Sequence, residues 1–357
     1  MISLAAIEYF NCDMNRAIPI AVGFCFFAAT FGLAAGQRQG QPPPEAPPDS
    51  PSWAYGVPNT PVQRAPGERP APDTSLKHIP GTDQAMTLQH IRDYWDVGDW
   101  FPGDHPPMPN VVVHGRQPHV RGCAMCHMPN GKGRPENAPV AGLPVGYFVQ
   151  QLHDFKDGLR TSADPRKQNT LQMIEGAQDM TEEEIQESAK YFSSMKWTPW
   201  ITVKEAATVP KTRISGNVFF PLPGGEMEPI GNRIIETPED GDRFELRDPR
   251  SGFIAYAPPG SIDKGSLIVS SGAGKTFACR ACHGPDLMGL GPVPGIAGRS
   301  PSYLMRQLWD FKKGARHGEW SPLMQQVVKD LSQEDMLNVS AYLAAAGPAE
   351  APQNAAK

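Results

Sequence analysis

Two five-residue stretches carry the chemistry of this chain: Cys123-Ala124-Met125-Cys126-His127 and Cys279-Arg280-Ala281-Cys282-His283. In C-x-x-C-H the two thiols share one turn, from which they can add to the vinyl groups of a haem, and the adjoining imidazole is set to ligate the iron. A zinc half-site, a redox dithiol and a disulfide pair use the same C-x-x-C spacing. The motif occurs twice, 156 residues apart and with histidine at the same place in each copy, which favours haem attachment over those three. The expected cofactors are therefore two covalently bound haem c groups. Cys123, Cys126, Cys279 and Cys282 attach them, and His127 and His283 each take one side of an iron.

What fills the opposite side of each iron separates an electron carrier from an enzyme. A methionine thioether raises the reduction potential and leaves no position for substrate. The internal repeat selects among the methionines. Ala141-Gly142, Tyr147, Gln151-Leu152, Asp154-Phe155-Lys156, Gly158 and Arg160 recur 156 residues later as Ala297-Gly298, Tyr303, Gln307-Leu308, Asp310-Phe311-Lys312, Gly314 and Arg316. Beyond the arginines the offset falls to 151, which sets Met173 opposite Met324, whereas Met180 faces Leu331, Met305 faces Val149 and Met125 faces Ala281. Met173 and Met324 are thus the expected sixth ligands, each on a loop eight residues before Thr181 or Ser332. Filling a gap in the core is the alternative use of such residues. His153 and His317 have Trp309 and Thr161 at their repeat positions, so symmetry does not support them as ligands. His78, His90, His105, His114 and His119 precede the first module. Each proximal imidazole needs a carbonyl to orient it. Pro294 is well placed for His283, and Ala138 stands at the matching position for His127. Arg134, Arg160 and Arg316 are candidates to pair with haem propionates.

Short helices must hold these groups. Tyr147, Gln151 and Phe155 are spaced four apart, so one helix lies in each copy. Thr181 with Glu184, and Ser332 with Asp335, form capping-box patterns that start a closing helix, with Tyr191 and Tyr342 at matching places beyond. Another amphipathic helix is expected over Met86 to Phe101 from Leu88, Ile91, Tyr94 and Trp95. About 75 residues wrapped on a porphyrin is a workable module, because the macrocycle supplies core that so short a chain lacks.

Length and composition complete the outline. At 357 residues there is room for about two domains, and 39 prolines with 35 glycines demand long irregular connections. The net charge of −5 is dispersed, with no basic block of the kind that follows a phosphate backbone, so nucleic acid is excluded as a partner. Residues 1–36 read as a signal peptide or N-terminal anchor: Arg16 precedes an apolar run from Ala17 to Ala35 that ends in small residues, with cleavage near Gln37. Cys12 and Cys25 both fall in this stretch, so the rest of the chain has no thiol to spare for a disulfide framework. Residues 37–85 form a proline-rich linker in which Trp53 and Tyr55 are isolated aromatics. The first haem domain with an N-terminal extension spans 86–197, an insert of one or two small hairpins 198–259, the second haem domain 260–346 and a tail 347–357.

Taken together, C-x-x-C-H, P-x-x-A-G, Y-x-x-x-Q-L-x-D-F-x-x-G-x-R, a methionine and a capped terminal helix resemble the dihaem class I cytochromes c of the c4 type, most closely from Cys279 to Leu343. The resemblance covers about half of the chain. It implies an all-α fold of two class I cytochrome c domains joined here by a long irregular insert. It also implies thioether attachment at the four cysteines, axial ligation by His127, Met173, His283 and Met324, and a periplasmic site, often at the membrane surface. The function it implies is transport of single electrons from a dehydrogenase or quinol-oxidising complex to a terminal oxidase or other acceptor, with no catalytic residue. The leader and the 198–259 insert depart from that pattern and leave open whether the two haem domains dock tightly. Two rivals remain. One is a dihaem enzyme, of peroxidase or thiosulfate-oxidising type, with one open iron. The other is a haem subunit of a larger membrane oxidoreductase complex.

Overall fold

The computed structural model describes residues 44–57 and 73–347; the expected leader and residues 348–357 of the tail lie outside them. Among the described residues no helix is long and apolar enough to cross a membrane.

The repeat is realised in the backbone. In the first copy α1 (Val145–Lys156), α2 (Gln168–Asp179) and α3 (Glu182–Ser193) follow the Cys123–His127 turn. In the second copy α4 (Ser261–Ser271) precedes the Cys279–His283 turn, and α5 (Pro301–Lys312), α6 (Ser321–Val328) and α7 (Gln333–Ala345) follow it. Both capping boxes form: Thr181 and Ser332 accept from the backbone N–H groups of Glu184 and Asp335, whose carboxylates accept from the cap N–H in return. Each copy closes its own core. Val140, Phe148, Leu152, Ile185 and Phe192 meet in the first, and Ile268, Leu304, Trp309, Met336 and Leu343 in the second. In the second core α4 crosses α7 at Gly265, where a Cβ would stand 2.0 Å from the Asn338 carbonyl oxygen.

The two copies dock tightly, about an approximate two-fold axis marked by Arg160 and Arg316. Their backbones pair as an isolated antiparallel bridge, flanked by Thr161 N–H to Ala315 O (2.7 Å) and His317 N–H to Leu159 O (2.9 Å). Each guanidinium bonds the glutamine of its own copy and that of the other. Arg160 donates to Gln151 and Gln307 at 2.9 Å each, and Arg316 to Gln307 at 2.9 Å and Gln151 at 2.5 Å. Arg160 and Arg316 thus tie the two copies together.

Three sequence expectations are corrected. Over 86–101 only Leu88–Ile91 is helical, because the Asp93 and Asp99 carboxylates accept from Trp95 N–H (2.8 Å) and Phe101 N–H (3.0 Å) and hold the chain in turns. The proline-rich linker is not all tether. Ser52–Tyr55 form a helical turn whose Tyr55 is fully buried and donates its hydroxyl to Asp310 Oδ1 at 2.9 Å. That strap also accepts from Lys167 Nζ at Tyr55 O (3.2 Å) and from Arg306 at Ala54 O (2.6 Å), so it ties residues of both copies.

The third correction concerns the insert, which is more than one or two hairpins, so all-α describes the haem modules and not the whole chain. Strands β1 (Ile201–Glu205), β6 (Ile235–Pro238) and β7 (Phe253–Ala257) make a mixed sheet in the order β6-β7-β1, antiparallel then parallel. Two further pairs are antiparallel: β2 (Thr208–Pro210) with β5 (Met227–Pro229), and β3 (Thr212–Ser215) with β4 (Val218–Pro221). The β3–β4 turn is Gly216-Asn217, both with positive φ (57° and 66°), the two-residue geometry that matches strand twist. The insert wedges between the copies. Ile234, Ala255 and Ala257 pack on Leu337 and Ala341 of α7, while Asn130 of the first copy donates to Pro249 O at 2.9 Å.

Candidate functional site: two haem-attachment turns

In each motif one helical turn brings the thiols together. Cys126 N–H and His127 N–H donate to Cys123 O at 3.2 and 3.0 Å, and the second copy repeats this at 3.3 and 2.9 Å. Cysteines three apart on such a turn lie on one face. The next residue, Met128 or Gly284, takes positive φ (64° and 88°) and turns the chain away.

Both imidazoles are buried and oriented by the expected carbonyls: His127 Nδ1 bonds Ala138 O and His283 Nδ1 bonds Pro294 O, each at 2.8 Å. This leaves Nε2 as the ligating nitrogen. Burial lowers the pKa of both rings, which favours the neutral form that a metal requires. Burial also pushes the Cys123 thiol up to about 12 and the Cys279 thiol up to about 11. A redox dithiol needs depressed thiol pKa values, so that reading loses ground. Among the described residues no group of three or more His, Cys, Asp or Glu is placed to hold a metal ion, and the four cysteines are unbridged.

A cavity of about 110 Å³ opens beside His127. His127, Leu152, Phe148 and Met173 line it, so the expected ligand pair of the first copy shares one space. Lys167 and Arg306 also reach it, the latter from the second copy. Met324 is half-buried on α6 at the equivalent place; neither it nor Met173 is on a loop, since α2 and α6 carry them. Large apolar side chains next to the second motif and next to Met324 are exposed: Phe277, Leu290 and Leu323. These are the properties a porphyrin slot demands, with apolar walls, a fixed imidazole and a thioether, so the residues fit haem.

Four of the remaining histidines have partners of their own. His153 pairs with Glu182 (3.2 Å), His119 with Asp179 (2.6 Å) and His105 with Asp99 (3.2 Å); His317 Nδ1 bonds Gly314 O. Arg134 pairs with Glu136 at 2.9 Å. Sequence reasoning missed Lys167, whose ammonium is buried at the cavity wall and whose pKa burial drives well below the ordinary lysine value. It also missed Arg306 and Asp310. Their repeat positions hold Gln150 and Asp154, and the arginine at 306 was the available signal.

The Cytochrome c family profile matches residues 112–196, the first copy. Cytochrome c-554(548) of Halomonas halodenitrificans is 36% identical over 75 residues, which cover 90% of that protein and 21% of this chain. The chain belongs to the cytochrome c family. With two attachment turns this cytochrome is a dihaem, c4-like electron-transfer protein carrying covalently bound haem c. Cytochrome c4 of Pseudomonas aeruginosa is 24% identical over 225 residues, 62% of this chain and 82% of the relative. The thiosulfate dehydrogenase electron acceptor of Thiomonas intermedia is 26% identical over 231 residues, 64% and 80% of the two chains.

Proposed function

We propose that this cytochrome is an exported, periplasmic carrier that passes single electrons from a dehydrogenase or quinol-oxidising complex to a terminal oxidase or other acceptor. Each haem would be held through two thioethers, with His127 and Met173 as its ligands in the first copy and His283 and Met324 in the second. The observation that carries this reading is the single cavity lined by both His127 and Met173. When bound, the haem supplies the one-electron change at iron. The protein holds the imidazoles to the Ala138 and Pro294 carbonyls, excludes water with Phe148 and Leu152, and keeps two strong ligands in place through both oxidation states. Export is supported by the apolar run that ends at Ala35. A redox-protein partner is supported by relatives named as an electron acceptor and as cytochromes c4.

The test is the visible spectrum and redox titration of the purified holoprotein beside Met173→Ala and Met324→Ala. Each substitution is expected to turn one of the two low-spin haems high-spin, to admit cyanide there, and to lower that haem's potential. An unchanged spectrum in both variants rejects methionine ligation. An unsubstituted protein that already binds cyanide readily favours a dihaem enzyme over a carrier.

A further inference from the structure

The 198–259 insert has no counterpart within the repeat, yet one of its side chains reaches the first attachment turn. Arg247 Nη2 donates to the Met125 carbonyl, inside the Cys123–His127 motif, and stands 3.6 Å from Met128 Sδ. The Arg247 backbone has φ 56°, a left-handed conformation that arginine seldom adopts and that persists where its surroundings impose it. Among the described residues no carboxylate lies within ion-pair distance of Arg247. The adjoining Asp248 is taken by Arg243 (2.7 Å) and Glu136 by Arg134 (2.9 Å), while Arg134 itself stacks on Phe244 at 3.5 Å. Burial lowers the Arg247 pKa to about 10, and Arg134 acts in the same direction, so the group remains a cation at neutral pH.

The second motif is built differently. Its nearby cation, Arg280, belongs to the motif and donates to Tyr342 Oη at 2.6 Å, and no insert residue hydrogen-bonds to the Cys279–His283 turn. Ala124 occupies the matching place in the first motif. One attachment turn thus receives a half-buried charge from outside the repeat and the other does not.

We propose that Arg247 is a potential-setting residue: the insert delivers a fixed positive charge to the first haem and raises its reduction potential. Reduction removes one positive charge from the iron centre. A neighbouring cation therefore disfavours the ferric state more than the ferrous, and half-burial of Arg247 weakens the screening of this effect by salt. This setting of the potential rests on the electron-carrier reading above.

Redox titration of the full haem-loaded protein tests it, with steps assigned to each haem through Met173→His and Met324→His variants. Arg247→Gln is expected to lower the one-electron equilibrium constant of the first haem about tenfold, which is about 59 mV, and to leave the second in place. Arg247→Lys keeps the charge and should hold the potential at neutral pH. As that lysine loses its proton at alkaline pH, the first haem alone should fall. No shift in Arg247→Gln, an equal shift of both haems, or equal shifts for glutamine and lysine overturns the proposal. If Arg247→Gln fails to load haem, the lysine variant decides by itself: a first-haem potential that ignores pH overturns it. Spectra recorded on the same samples report separately on the carrier reading, because a high-spin, cyanide-binding iron defeats that reading whatever Arg247 does.

Discussion

Gln307→Leu is the sharpest test of how the two haem modules are joined. The Gln307 carboxamide oxygen accepts from both Arg160 and Arg316 at 2.9 Å, and Gln151 does the same from the other side. Arg160 and Arg316 are buried, so a lost acceptor leaves donors that water reaches poorly. A hydrogen bond to a charged group contributes roughly 1.5–3 kcal/mol, and two are lost. Gln307 is only half-buried and solvent recovers part of this, which leaves about 3 kcal/mol. Denaturant unfolding of the holoprotein, followed by haem absorbance and far-ultraviolet dichroism, should show the midpoint fall accordingly. Separation of the modules should broaden or split the transition. Gln151→Leu should cost about as much. The double variant should cost less than the sum by about 1 kcal/mol or more, because both glutamines serve the same two guanidiniums. A loss below about 0.5 kcal/mol for either single variant, or additivity within about 0.5 kcal/mol, refutes a shared network.

Glu236 on β6 is buried, and burial raises its pKa from 4.5 to about 7 against the lowering effects of the Ser300 and Ser302 hydrogen bonds and Arg306. A folded-state pKa above the unfolded one means that stability is full below about 4.5 and is lost as pH rises through about 7. Relative to Glu236→Gln, the unsubstituted protein should therefore lose roughly 3 kcal/mol between pH 4.5 and 8, read as denaturation midpoints across that range. Parallel pH profiles for the two proteins contradict this. Tyr55→Phe removes the buried hydroxyl that donates to Asp310 (2.9 Å) and should cost about 2 kcal/mol and speed proteolysis at 44–57; an unchanged digestion rate counts against the strap. Thr181→Ala and Ser332→Ala each delete one half of a capping box and should cost about 1 kcal/mol apiece, adding because they lie in separate copies. Thermal or denaturant melts of the double variant check the sum.

The local features were legible because their causes lie a few residues away. The four-residue spacing in Tyr147–Gln151–Phe155 and its repeat became α1 and α5, of equal length and 156 residues apart. The two capping boxes formed as spelled, as did the carbonyl contacts to both histidines. The helix expected over 86–101 failed for a local reason of another kind, since Asp93 and Asp99 offer the backbone a competing acceptor. Met173 and Met324 were paired by the change of offset alone, and that register places Met173 on the wall of the His127 cavity.

The sequence by itself determined the covalent chemistry and the duplication. C-x-x-C-H acts through thiols on a single turn, and a repeat needs no partner to be read. Only the tertiary structure decided what the unrepeated segments do. Tyr55 meets Asp310 across 255 positions and Arg247 meets Met125 across 122, and no periodicity marks such pairs. The arginines that end each repeat could have met solvent. Docking of the two copies buried Arg160 and Arg316, and a buried cation must be satisfied by whatever acceptors the interface brings, here Gln151 and Gln307.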